Sequence, residues 1–129
     1  IVFLPSINSL PSLIKFFNKS FLEIYDKKFD LIVSNPPYIE SRAMKNLDDD
    51  IKRYEPKIAL DGGNDGLDVI KKVIYKAKYI LKINGILALE IGNEQDRKVS
   101  KILIDNNFKI KHVIKDYKNN VRCVLAEYN

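Results

Sequence analysis

Four consecutive residues, Asn35-Pro36-Pro37-Tyr38, concentrate groups that can do chemistry. The asparagine offers a side-chain carbonyl as an acceptor. Neither proline carries an N–H, so the backbone through the pair presents carbonyls and few donors. Each proline fixes φ near roughly −65°, and Pro36 pushes Asn35 toward an extended conformation. Tyr38 adds a flat aromatic face. Two acceptors beside a π-face suit a planar –NH2 group, either a carboxamide or the exocyclic amine of a base. Such a nitrogen is a poor nucleophile because its lone pair is delocalised. Holding both hydrogens orients it toward an electrophile and stabilises the positive charge that develops. No strong general base is required. The plainer reading of the same four residues is a rigid exit from a strand.

The elements around the tetrapeptide must place it. Phe29 to Ser34 is a short, nearly continuous apolar run containing Ile32 and Val33, which suits a strand buried on both faces of a parallel sheet. In open α/β sheets ligands bind beyond the C-terminal ends of the strands, and the tetrapeptide falls at such an end. Upstream, apolar residues at 10, 13, 14, 17, 21, 24 and 25 form a helical stripe over Leu10–Tyr25, weakened by Asn18-Lys19-Ser20. Downstream, residues 40 to 65 are polar and acid-rich, broken by Pro56 and Gly62-Gly63, as functional or mobile loops are. LDVIKKVIYKAKYILK then reads as a helix ending before Asn84-Gly85. ILALEIG reads as a second buried strand closed by Gly92, and Gln95–Asn106 as a helix. Phe108–Asp116 and Val121–Tyr128 read as an antiparallel hairpin turning at Lys118-Asn119-Asn120. Alternating β and α elements imply a parallel sheet covered by helices, with right-handed crossovers.

The 129 residues are 46% hydrophobic with both charge signs present, which argues for a packed core rather than disorder. The net charge of +5 comes mostly from lysines along helical segments, a pattern of solvated faces. One cysteine, Cys123, forms neither an internal disulfide nor a metal site, so no metal and a reducing, cytoplasmic setting are expected. No apolar run approaches the length of about 18 residues that would span a bilayer, and IVFLPSINSLP lacks a basic leader and a cleavage site. The chain begins with Ile1 and its only methionine is Met44, so the expectation is a fragment or a segment of a longer reading frame.

With these blocks in view, the chain resembles the class I S-adenosylmethionine-dependent methyltransferases whose amino-modifying members carry [N/D]PP[Y/F/W] after the fourth strand. It is most similar to the HemK/PrmC family, which methylates the N5 of a glutamine in peptide-chain release factors. FDLIVSNPPYI is followed by YEPKIALDGGNDGLDVI, by LALEIGNEQ and by KDYKNNVRCVLAEY, each similar to a block of that family. The resemblance runs from about Phe21 to Tyr128. It implies an α/β, Rossmann-like, mostly parallel sheet in the order 3-2-1-4-5-7-6, closed by a C-terminal antiparallel hairpin and here lacking the first three strands. It implies residues 1–28 as an atypical N-terminal segment and 29–129 as the C-terminal half of a methyltransferase domain.

By the same resemblance Asn35 and the Pro36 carbonyl would accept hydrogen bonds from the target amide, Pro37 would fix the turn, and Tyr38 would pack on the amide plane. Asn35 would also lie beside S-adenosylmethionine, whose adenine Phe21 would face. Glu55, Pro56 and Gly62-Gly63 would shape the substrate-side loop. Glu90 would make a structural hydrogen bond at its strand end, Arg122 and Asp116 would pair near the hairpin, and His112 would sit at the surface. The amide nitrogen would attack the sulfonium methyl in line. The release factor would be the protein substrate.

The chain departs from the family ahead of Asn35. No glycine occurs before Gly62, so the glycine-rich loop that holds the cofactor is absent, and Asn18-Lys19-Ser20 stands where an acid is usual. Loss of the first three strands would leave Phe29–Ser34 as a naked edge. Two alternatives follow: an adenine-N6 methyltransferase on DNA or RNA, and a non-catalytic remnant or split product whose partner supplies the missing half.

Overall fold

The computed structural model describes residues 2–4, 20–25, 28–47 and 54–129. Five strands form one sheet: β1 (Val2–Leu4), β2 (Phe29–Ser34), β3 (Leu81–Glu90), β4 (Phe108–Lys115) and β5 (Val121–Tyr128), in the spatial order β1-β2-β3-β5-β4. The stretch β2-β3-β5-β4 is the end of the sheet that the resemblance implies, with the last strand inserted between its two predecessors. Within this sheet β2 and β3 pair in parallel; β1/β2, β3/β5 and β4/β5 are antiparallel.

Three helices are described: the single turn α1 (Lys57–Leu60), α2 (Asp68–Ile80) and α3 (Asp96–Asp105). Helix α2 presents Ile70, Val73, Ile74, Ala77 and Ile80 as one buried stripe. Complete burial of an isoleucine contributes roughly 1.5–3 kcal/mol, so this face rather than helix propensity holds α2 in place. Asp68 in its first turn also complements the helix dipole. Helix α3 buries Val99 and Leu103 and packs against β4 and β5.

Strand alternation decides which sheet face the helices cover. Ile32, Leu87 and Ala126 lie in one cross-strand row, and Ser34, Leu89 and Val124 in the next; all six are buried. The residues between them, Val33, Ala88 and Leu125, form a row on the opposite face and stay partly or well exposed. The period of two along a strand makes this division unavoidable once one row is buried.

Several expectations change. The β2 edge is not naked: Val2, Phe3 and Leu4 pair antiparallel with Val33, Ile32 and Leu31, engaging backbone groups that would otherwise seek another chain. Helix α2 stops at Ile80, short of Asn84, because Leu81 already pairs with Phe29. The next pairing is Leu31 with Ile86, so the intervening turn bulges out, with Asn84 at a left-handed φ of 63°. The sequence stripe over Leu10–Tyr25 lies outside the described residues up to position 19, and beyond it Phe21–Glu23 is a 3-10 turn. The terminal hairpin and the helix after Gln95 form as the pattern implies.

Candidate active site

Strand β2 delivers Asn35-Pro36-Pro37-Tyr38 to the C-terminal end of the parallel pair. The segment that follows does not wander away. The Ile39 N–H donates to the Leu60 carbonyl at 3.1 Å, and Gly62 N–H donates back to the Ile39 carbonyl at 2.8 Å. Ser41 N–H then reaches the Gly63 carbonyl at 2.9 Å. Residues 60 to 63 therefore zip, parallel at Ile39 and Asp61, onto the exit from the tetrapeptide. Asp61 secures this junction: its Oδ1 accepts from Ser41 Oγ at 2.7 Å and from Gly63 N–H at 3.0 Å. Those two bonds, the Ser41 one foremost, hold its carboxyl below the usual carboxylate range.

Gly62 shows how closely the two stretches meet. A Cβ there would stand 2.8 Å from Tyr38 Cα and 2.9 Å from the Pro37 carbonyl oxygen. Only a residue without a side chain lets the backbones touch. Glu55 and Pro56, by contrast, are exposed, Pro56 standing ahead of α1.

A cleft of about 470 Å³ opens where the exit meets the uncovered sheet face, lined by Val33, Ser34, Asn35, Tyr38, Ala88, Glu90, Arg122 and Cys123. Asn35 is exposed, Pro36 is buried, and Pro37 and Tyr38 are half-buried. The Asn35 side chain has no hydrogen-bond partner among the described residues, so its amide is available. Tyr38 Oη points to Glu90 Oε1 at 3.5 Å, a distance at the limit of a hydrogen bond. Burial first, then the Glu90 charge, raises the Tyr38 pKa, with Arg122 opposing; the phenol stays neutral. Burial and Glu90 likewise push the Cys123 thiol up, which makes it a poor nucleophile.

Arg122 Nε donates to Asp116 Oδ2 at 3.0 Å, the expected pair, and Asp116 Oδ1 also caps the hairpin by accepting from Lys118 and Asn120 N–H groups. His112 is exposed. The Phe21 side chain lies outside the described residues.

Sequence reasoning did not single out Gln95. It is buried, with Nε2 donating to the Tyr38 carbonyl at 3.1 Å and the Gly66 carbonyl at 3.3 Å, while Oε1 accepts from Gly92 N–H at 2.9 Å. The signal was present, since Gln95 closes the LALEIGNEQ block. Two of its three partners, Tyr38 and Gly66, lie in other blocks and are invisible to any local pattern.

A family model described as Eco57I restriction-modification methylase matches residues 6–121. The chain belongs to that methylase family. Its curated relatives carry the function that the four blocks suggest. A release factor glutamine methyltransferase of Fusobacterium nucleatum is 48% identical over 102 residues, covering 79% of this chain and 29% of that protein. One from Clostridium acetobutylicum is 45% identical over 100 residues, 78% of this chain and 35% of that protein. The chain thus spans about a third of the length of these relatives. Among solved structures, a ribosomal protein L11 methylase from Lactobacillus delbrueckii subsp. bulgaricus superposes with a TM-score of 0.54 at 18% identity, over 88% of this chain and 44% of that one. A methyltransferase from Pyrococcus furiosus gives 0.52 at 17% identity, over 79% and 42%. Likeness at that level is one of fold, and the fold is that of the class I methyltransferases.

Methyltransferases of this fold imply S-adenosylmethionine, and the described residues do not fit it. They present acceptors and an aromatic ring at the end of β2. They present no glycine loop ahead of β2, and antiparallel β1 runs along the β2 edge. Among the described residues no cluster of His, Cys, Asp and Glu could hold a metal ion, and no helix is long and apolar enough to cross a membrane.

Proposed function

We propose that residues 29–129 are the C-terminal, acceptor-binding half of a glutamine N5-methyltransferase acting on a peptide-chain release factor in the cytoplasm. The observation that carries this is the junction of NPPY with the DGG turn. The free Asn35 amide, the stiff proline pair and the half-buried Tyr38 ring stand at a strand end, held there by the loop from 40 to 63. Asn35 Oδ1 and the Pro36 carbonyl accept the two amide hydrogens, and Tyr38 lies on the amide plane. Binding the planar nitrogen through both hydrogens sets its lone pair for reaction and stabilises the developing charge. The methyl donor implied for this fold would be S-adenosylmethionine; the described residues provide no seat for it, so binding it would fall to another part of the protein or to a partner.

The test is transfer of labelled methyl from S-adenosylmethionine to a release factor, with loss of transfer in Asn35→Ala. Transfer unchanged by that substitution sinks the assigned role. Calorimetry separates the two origins of cofactor binding: micromolar binding by the 129-residue chain assigns a seat to this chain, and its absence assigns the seat to a longer or two-part protein.

A second reading has one observation in its favour, the restriction-modification description of the family model. Under it the same acceptors hold the N6 amine of adenine. The YEPKIAL and LALEIGNEQ stretches favour the amide reading, because they fall within the segment shared with glutamine methyltransferases at 48% identity. Competition between a release factor and DNA as methyl acceptor decides between them.

A further inference from the structure

The NPPY turn cannot hold itself by its own backbone. Pro36 and Pro37 supply no N–H, and the Asn35 side chain has no partner among the described residues. Its far end is fixed instead by groups from elsewhere. One is Leu60, whose carbonyl takes the Ile39 N–H. The other is Gln95, whose Nε2 donates to the Tyr38 carbonyl at 3.1 Å.

Gln95 is 9% exposed, and its amide spends both donors and its acceptor on three separate loops, at Tyr38, Gly66 and Gly92. No space is left around it: a Cβ on Gly66, which sits at a φ of +70°, would stand 2.7 Å from Nε2 and 2.4 Å from the Tyr38 carbonyl oxygen. Between Tyr38 and Asn35 the two prolines make a stiff strut. A shift of the Tyr38 carbonyl is therefore carried to Asn35 rather than absorbed by the turn.

We propose that Gln95 is a positioning residue for the acceptor amide, joining the NPPY, GGNDG and EIGNEQ stretches through one buried carboxamide and so fixing where Asn35 and Tyr38 stand. This rests on NPPY as the seat of the amide. Gln95 touches no substrate; it acts through the Tyr38 carbonyl.

Two variants make the role readable. Gln95→Met keeps the length and removes all three hydrogen bonds. Gln95→Glu keeps the acceptor for Gly92 N–H but sets a carboxylate oxygen against two carbonyls. Burial raises the pKa of such a carboxyl, and its protonated form regains one donor. In the 129-residue chain, NMR follows the Asn35 side-chain NH2 and the Tyr38 ring. Both variants shift these resonances at pH 8. Lowering the pH to 6 returns Gln95→Glu toward wild type and leaves Gln95→Met unmoved.

Wild-type Asn35 and Tyr38 resonances in a folded Gln95→Met overturn the proposal. So does a folded Gln95→Glu with no pH recovery, which keeps the test open where Gln95→Met fails to fold. In the methyl-transfer assay both variants lose about tenfold or more in kcat at pH 8, and only Gln95→Glu recovers on acidification. With the cofactor-binding half supplied, a wild type that methylates DNA and no glutamine acceptor counts against the amide reading, while the resonances still decide what Gln95 does.

Discussion

Gly62 lies against Tyr38 so closely that a Cβ on the glycine would come within 2.8 Å of the tyrosine Cα. The same Cβ would meet the Pro37 and Gly66 carbonyl oxygens at 2.9 and 2.8 Å. Backbone packed on backbone in this way leaves nothing flexible to give. Gly62→Ala is expected to destabilise the chain by about 1–3 kcal/mol and to displace the NPPY turn. Urea unfolding checks the first and methyl transfer the second; a wild-type midpoint would show that the loop relaxes freely.

Asn35→Ala should separate stability from activity. The side chain is exposed and unpartnered among the described residues, so removal changes stability by less than about 0.5 kcal/mol. Methyl transfer to the glutamine acceptor should fall at least about 100-fold, because an oriented nucleophile is lost. Equal unfolding midpoints with absent transfer is the expected pair of results.

At Tyr38 the ring and the hydroxyl should behave differently. The contact from Oη to Glu90 spans 3.5 Å, too long to contribute much. Tyr38→Phe should keep transfer within about threefold, whereas Tyr38→Ala, which removes the face proposed to pack on the amide, should lose about 100-fold. Steady-state rates for the two variants make the comparison. A Phe variant as poor as the Ala variant would move the role to the hydroxyl.

Ser34 offers a test in the opposite direction. It is 2% exposed, and its Oγ is buried with no hydrogen-bond partner among the described residues. An unpaired hydroxyl in such a place costs free energy. Ser34→Ala should therefore leave stability unchanged or raise it by about 1 kcal/mol, measured by urea denaturation.

Acid should weaken the chain through its depressed carboxylates, Asp116 and Asp61 among them. The Arg122 hydrogen bond, then the Asn120 N–H, holds Asp116 below its ordinary range, and Ser41 with Gly63 does the same for Asp61. A depressed folded pKa means that the unfolded chain takes up the proton first. The stabilisation is complete above the unfolded value, about 3.9, and is lost as pH falls toward the folded ones. Urea midpoints should hold steady from pH 8 to 5 with respect to these groups and drop below about pH 4. Asp116→Asn should lower the midpoint at neutral pH and flatten part of that acid drop.

The sequence by itself determined strands β2 to β5, helices α2 and α3, and the acceptor character of the Asn-Pro-Pro-Tyr residues. Period-two and helical patterns are local, so Phe29–Ser34, the stripe of α2 and the terminal hairpin are legible one residue at a time. The acceptor character of Asn-Pro-Pro-Tyr is legible for the same reason: missing N–H groups and fixed φ angles belong to the residues themselves. Tertiary structure alone decided the rest. That Gln95 holds the Tyr38 carbonyl depends on residues 57 positions apart meeting across three loops. Pairing of β1 along β2, the stop of α2 at Ile80 and the packing of Gly62 on Tyr38 are likewise matters of long-range register. Such contacts are set by which backbone groups find each other once the core is buried, and no local pattern encodes that choice.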